Sequence, residues 1–217
     1  MDTAIAMARL AEWINASEER KRLKLVRKKL EWKVRKSYMK RYIALLRGIN
    51  ISGKNKISMS ELKAGFKELG FTEVTTYLNS GNVIFLSDID DNDTLSNKIK
   101  QLIKDRIELD IPIFVILQEL LADIVNHAPD WWGEGNKEID DNLIFLIPPL
   151  SYEEFFEEIG NPKDEYEKVH SYKNVVFWSF SRKYYQKTNW WSKTASSNIS
   201  DKITIRTANT VRKIVSM

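Results

Sequence analysis

Tyr42-Ile43-Ala44-Leu45-Leu46-Arg47-Gly48-Ile49-Asn50 is the stretch on which the reading of this chain turns. Five apolar or aromatic residues in a row read as a buried strand, and the Gly-containing polar turn ends it. Downstream, Lys56 to Ser60 leads into a helix carrying Met59, Leu62, Phe66 and Leu69 on one face, stopped by Gly70. Val74 to Leu78 and Val83 to Leu86 are strands joined by Asn79-Ser80-Gly81-Asn82, whose Asn and Gly suit a tight hairpin. An acidic loop, Asp88 to Asp93, precedes a helix with Leu95, Ile99, Leu102, Ile103 and Ile107. Ile111 to Leu117 is a fourth strand, and a helix follows to about Asn126. The predicted order is β-α-β-β-α-β-α.

The second half predicts the same pattern without shared identity. Leu143 to Ile147 is a strand closed by Pro148-Pro149, Tyr152 to Ile159 a helix, and Tyr166 to His170 and Val175 to Phe180 a hairpin pair around Tyr172-Lys173-Asn174. An irregular polar stretch, Arg182 to Asp201, stands where the second helix belongs; Ile203 to Arg206 is a strand and Thr210 to Val215 a last helix. The expected fold is α+β: two tandem ferredoxin-like β-α-β-β-α-β halves with extra helices. The halves are placed at 39–128 and 143–217, joined by a Gly- and Trp-containing linker over 129–142.

Ahead of them lies a leader, residues 1–38. It holds 11 Lys/Arg against 5 Asp/Glu, which leaves 23 basic and 25 acidic residues in the body. The net charge of +4 therefore comes from the leader, and the body has no overall electrostatic reason to bind nucleic acid. The leader divides at Ser17, a candidate cap for a helix with Leu23, Val26, Leu30 and Val34 at helical spacing and Lys/Arg on its other faces. This basic amphipathic helix suits an anionic membrane, an acidic partner or nucleic acid, or is a solvated appendage. Alternatively Met39 is the start, since the codons of Lys33-Val34-Arg35 can encode a purine-rich ribosome site.

The absence of cysteine excludes disulfides, thiolate metal sites and Cys nucleophiles, and points to a reducing, cytoplasmic compartment. No apolar run reaches the roughly 20 residues of a transmembrane helix. Met1 to Ala8 is too short and weakly apolar for a signal peptide. The spacing of a Walker loop is missing. The two histidines, His127 and His170, supply neither a base for Ser80 nor a zinc set, and the Asp88–Asp93 run lacks calcium-loop spacing, so no cofactor or metal is expected.

Tyr42 to Asn50, Gly53-Lys54-Asn55-Lys56 and Met59-Ser60-Glu61-Leu62, followed by Thr76-Tyr77 with Ser80-Gly81-Asn82-Val83, resemble in order the opening and the next block of the bacterial domain-of-unknown-function 1697 family. Tyr185-Gln186-Lys187-Thr188, Ile205-Arg206 and Asn209-Thr210-Val211 resemble its C-terminal signatures. The resemblance spans about 39–217 and points to no particular activity, because the family's name states that none is established. Ser52-Gly53 stands where the family usually has two glycines, and Arg206-Thr207 where it usually has Arg-Asn.

The candidate ligand-binding residues are Arg47, Asn50, Lys54, Lys56, Lys187, Arg206 and Asn209. Cations beside the N–H groups of a turn can hold a phosphate or carboxylate. Equally, Arg47 can bond its own loop's carbonyls, Asn50 cap a turn, Asn209 or Thr210 cap the last helix, and the lysines stay solvated. The dense tryptophans, Trp131-Trp132, Trp178 and Trp190-Trp191, fit core packing at the seam between the halves better than base stacking.

The leading expectation is a non-catalytic module binding an anionic small molecule or nucleic-acid end, with Arg47, Lys54, Lys187 and Arg206 converging in one cleft. An enzyme of unknown reaction and a homodimeric or larger structural assembly, joined through a sheet edge, are the alternatives. Taking strands one and three as parallel, the Arg47–Asn50 turn and the Asn79–Asn82 turn are expected at opposite ends of the sheet. Arg47 to Lys56 is then the binding segment and Asn79 to Asn82 mainly a hairpin.

Overall fold

The computed structural model describes residues 2–51 and 55–217, with the side chains of all of these except 2–6, 8–12, 14 and 15. The described chain forms two units, Met1–Met39 and Lys40–Met217. The first is one 37-residue helix, α1 (Asp2–Tyr38). It runs through Ser17, so the expected division there is corrected: no Gly or Pro interrupts residues 2–38, and nothing forces a new start. Exposed pairs such as Glu18–Lys21 and Arg27–Glu31, each at 2.7 Å, line its surface. Leu23, Val26, Leu30 and Val34 are exposed.

In the second unit the first half runs β1 (Lys40–Leu46), α2 (Met59–Glu68), β2 (Thr72–Tyr77), β3 (Asn82–Ser87), α3 (Asn92–Ile107), β4 (Ile113–Leu117) and α4 (Gln118–Asn126). The second runs β5 (Ile139–Leu146), α5 (Tyr152–Ile159), β6 (Glu167–Tyr172) and β7 (Val175–Ser181). It continues through a 3-10 turn (Arg182–Lys187), α6 (Trp190–Ser196), another (Ser200–Lys202), β8 (Ile203–Thr207) and α7 (Ala208–Val215). β5 begins inside the stretch read as a linker. Polar caps set the helix starts: Ser58 accepts from Glu61 N, Asp91 from Thr94 N at 2.8 Å, and Ser151 forms a reciprocal capping box with Glu154. α7 is capped by Thr207, whose hydroxyl accepts from Thr210 N, which corrects the expectation that Asn209 or Thr210 is the cap.

The sheets have the orders β2-β3-β1-β4 and β6-β7-β5-β8. Every pairing is antiparallel, as in the ferredoxin-like motif. The central strands β1, β3, β5 and β7 are largely apolar on both faces because both faces are covered, whereas the edge strands β2 and β6 are mostly polar. Tyr42, Ala44, Val83, Phe85 and Val115 face α2 and α3. Ile144, Leu146, Val176 and Trp178 face α5 and α6. The remaining faces share one core, in which Ile43, Leu45, Phe114, Leu143, Phe145 and Phe177 pack with Leu121 and Ile124 of α4 and Val211 and Ile214 of α7. Phe114 and Phe145 join the two sheets directly, with ring centres 5.3 Å apart.

One topological expectation is overturned. β1 and β3 run antiparallel, with Leu45 opposite Asn82, so the end of β1 and the start of β3 lie at the same end of the sheet. The hairpin β2–β3 returns the chain before it reaches β1, which makes the neighbours opposite in direction.

Candidate functional site

The two turns meet. Leu46 N donates to Gly81 O at 2.8 Å, and Asn50 Nδ2 donates to Asn79 O at 2.9 Å. Gly81 has φ +77°, and a Cβ there would lie 2.7 Å from Leu46 Cβ and 3.1 Å from Leu46 O, so only glycine allows this approach. Asn50, itself left-handed at φ 54°, spends its amide on its own loop: Nδ2 also donates to Ile57 O and Oδ1 accepts from Ile57 N. Asn55 Nδ2 ties back to Gly48 O at 3.0 Å. Asn50 is therefore spent holding the loop between β1 and α2.

Arg206 joins the halves. On the inner face of β8, it is 9% exposed and donates Nε to Asn82 Oδ1 at 2.6 Å. Nη1 donates to Thr204 Oγ1 and Ile205 O, and Nη2 to Leu46 O and Ser80 O. A guanidinium has five N–H donors, and all five are used on neutral acceptors of this chain. No hydrogen remains for an incoming anion. Burial, and then the like charge of Arg47, push its pKa down to about 10, so it is still a cation at neutral pH.

Arg47 is placed differently. Its backbone N–H bonds Pro112 O, and its Nη1 crosses to Ile203 O at the start of β8 at 2.5 Å. Its other donors have no partner among the described residues. Burial lowers its pKa, and Asp201 opposes that. The side chain lines a cavity of about 370 Å³ between the outer face of the second sheet and α6. Asn142, Trp178 and Ile205 come from three neighbouring strands, and Trp191, Ser192, Thr194 and Ala195 from α6. Trp178 is buried, while Trp191 is 45% exposed and held on edge by Phe180 and Tyr185 at 5.4 and 4.9 Å.

The other sequence candidates lie apart. The Lys187 ammonium sits against the rings of Tyr184 and Tyr166, 4.9 and 5.3 Å from their centres, and is not part of the cavity wall. Lys56 and Asn209 are exposed. Lys54, with the Ser52-Gly53 turn, lies outside the described residues. Of the four cations expected to converge, Arg47 lines the cavity, while Arg206 is sealed in the seam. Trp132 packs in the core between the sheets, donating Nε1 to Asn142 O, and Trp190 packs under α5.

Sequence reasoning passed over Asn142, Ser192, Thr194 and, above all, Glu167. Glu167 is 2% exposed, and its carboxylate gathers four N–H groups. Oε1 accepts from Asn189 N at 2.6 Å and Lys163 N at 3.0 Å; Oε2 accepts from Trp178 Nε1 at 3.1 Å and Trp190 N at 3.4 Å. It thereby fixes the start of α6 against Trp178, a cavity wall. The signal was strand alternation: Glu167 shares a β6 face with Val169, which packs inward. Among the described residues, no group of His, Cys, Asp or Glu could hold a metal ion.

The solved structure of a conserved bacterial protein from Streptococcus pneumoniae is similar to this chain. It has a TM-score of 0.73 and 29% identity, over 82% of this chain and 98% of that one. No curated protein matches. The profile of a family described as "Protein of unknown function (DUF1697)" matches residues 39–177. That span stops short of the resemblances at Tyr185–Thr188 and Ile205–Val211, but it takes in both meeting turns and covers well over half of the chain. The ordered turns, the doubled sheet and the profile agree, and the chain belongs to the DUF1697 family.

Proposed function

We propose that this protein is a non-catalytic binding module for an anionic small molecule, held at Arg47 in the cavity under α6. The observation that carries the reading is the contrast between two neighbouring arginines: Arg206 has spent every donor, while the Arg47 side chain makes one hydrogen bond among the described residues and lines a cavity with two tryptophans. A cavity of about 370 Å³ falls in the lower part of the usual range for small-molecule sites, roughly 300–1,000 Å³. Mostly apolar walls with a few placed polar groups are the usual make-up of such sites. A guanidinium with open N–H groups in that setting binds an oxyanion through charge-assisted hydrogen bonds. A nucleic-acid end is the weaker partner, because one arginine faces the cavity and the body carries more acidic than basic residues. No helix among the described residues is long and apolar enough to cross a membrane, and the cysteine-free chain suits the cytoplasm.

A thermal-shift screen over nucleotides, sugar phosphates and organic carboxylates tests the proposal, since a specific ligand raises the midpoint by mass action. A ligand that stabilises the wild type and Lys187→Met, but not Arg47→Met, is the expected result. Stabilisation that persists in Arg47→Met and vanishes in Lys187→Met would move the site to the tyrosine-flanked lysine.

A further inference from the structure

Resting on that reading of the Arg47 cavity, we infer the class of ligand: a planar aromatic monocarboxylate that also carries an N–H donor. Three features of the cavity select it.

The first is charge. Arg47 is the one cation among the described residues lining the cavity. Arg206 contributes positive potential but no hydrogen, because its five donors are already bonded. A phosphate monoester carries nearly two charges and three oxygens to satisfy, and it draws on several donors. One planar guanidinium matches one carboxylate, two N–H groups to two oxygens.

The second is shape. Trp178 is buried in the cavity wall and Trp191 stands half-exposed, braced by Phe180 and Tyr185. Indole faces favour a flat, polarisable ring over an aliphatic one, and Ile205 and Ala195 extend the apolar wall beside them; of the two hydroxyls that α6 adds, Ser192 and Thr194, the second is already bonded to Trp190 O at 2.9 Å.

The third is a waiting acceptor. Asn142 is 9% exposed and pairs with Trp178 across β5 and β7. Its main-chain carbonyl is anchored by Trp132 Nε1 at 2.8 Å. Its Nδ2 makes a long 3.4 Å bond to Asp140 O, while its Oδ1 accepts no hydrogen bond among the described residues. An amide oxygen so placed repels carboxylate and phosphate oxygens alike and is satisfied by an N–H. The carboxylate therefore goes to Arg47, the ring lies against Trp178 and Trp191, and the ring N–H reaches Asn142.

The test is calorimetric titration of the full chain with four probes: indoleacetate, its oxygen isostere benzofuranacetate, cyclohexaneacetate and indoxyl phosphate. The prediction is that indoleacetate binds tightest and loses binding in Arg47→Met. The benzofuran compound, which cannot donate, should be weaker by about tenfold, and the cyclohexyl compound weaker still. Because the comparison changes the ligand, it does not depend on a variant at Asn142 folding. Tighter binding of indoxyl phosphate, or equal affinity for the indole and benzofuran compounds, overturns the ligand class while leaving an anion site at Arg47. Failure of all four probes, with no anion stabilising the protein in the thermal screen, overturns the class and the site together.

Discussion

The segment after the third strand is built differently in the two halves, and the candidate site lies in that difference. In the first half it is α3, sixteen residues of regular helix capped by Asp91, with Leu95, Ile99 and Ile103 buried against the sheet. The helix closes its sheet face. In the second half the same position is broken into two 3-10 turns around the seven-residue α6. A helix this short cannot stand on its own propensity. It is held instead by Glu167, whose buried carboxylate takes the N–H groups of Asn189 and Trp190 at its start. Beneath it the sheet is left partly uncovered, and Arg47 from the first half lines the opening. Under α3 the sheet face is spent on packing; under α6 a cavity remains.

The largest expected effects break this contrast. Glu167→Ala leaves four N–H groups without their acceptor and should cost about 3 kcal/mol, read by urea unfolding. Ile99→Ala in α3 should cost a similar amount, about 3 kcal/mol, by opening a void in the first half's core. The two should separate in function: Glu167→Ala loses ligand binding with α6, while Ile99→Ala keeps it below its unfolding transition. Equal binding by both variants would mean that α6 does not shape the site.

A middle effect is expected at the seam. Arg206→Met removes the bonds to Leu46 O, Ser80 O and Asn82 Oδ1 that tie β8 to the paired turns. Relief from burying an unpaired charge offsets part of the loss, and about 2 kcal/mol of destabilisation should remain. Nitrogen-15 NMR should show the shift changes concentrated at Ser80 to Asn82.

The smallest effect concerns Tyr42. Burial, with Asp90 next to it, pushes its phenol up to about 12. In an unfolded chain a tyrosine ionises near pH 10. The neutral phenol therefore contributes stability in full below about pH 10, and that contribution is lost as pH climbs toward 12. Absorbance titration should find a late phenolate step near pH 12 that Tyr42→Phe lacks.

How much of this was legible in the sequence follows from which interactions are local. Helix caps, apolar faces and the strand–turn–strand spacing of Val74 to Leu86 are local, and they placed the elements and the doubled α+β architecture. Strand direction is not local. Taking β1 and β3 as parallel sent two touching turns to opposite ends, although the glycine that lets them touch, Gly81, was in view. Arg47 and Arg206 look alike in sequence, each an arginine at the end of an apolar strand. Only the partners separate them, and those partners lie 156 and up to 160 residues away along the chain, at Ile203 and Leu46. Trp178 and Trp191 were conspicuous as a type, but one lies in the wall and the other at the edge of a cavity bounded by α6, whose start is held by the buried Glu167, a residue the sequence reading passed over. Asn142 sat in a stretch taken for a linker.

Side-chain NMR bears most closely on whether the Arg47 cavity binds an anion. Titration of indoleacetate into nitrogen-15-labelled protein should give saturable shifts at Arg47 Nε, Trp191 Nε1 and the Asn142 side-chain amide, with Lys187 and its neighbours unmoved. Shifts confined to the Tyr166–Tyr184–Lys187 surface, or none at any concentration up to solubility, would contradict binding at Arg47.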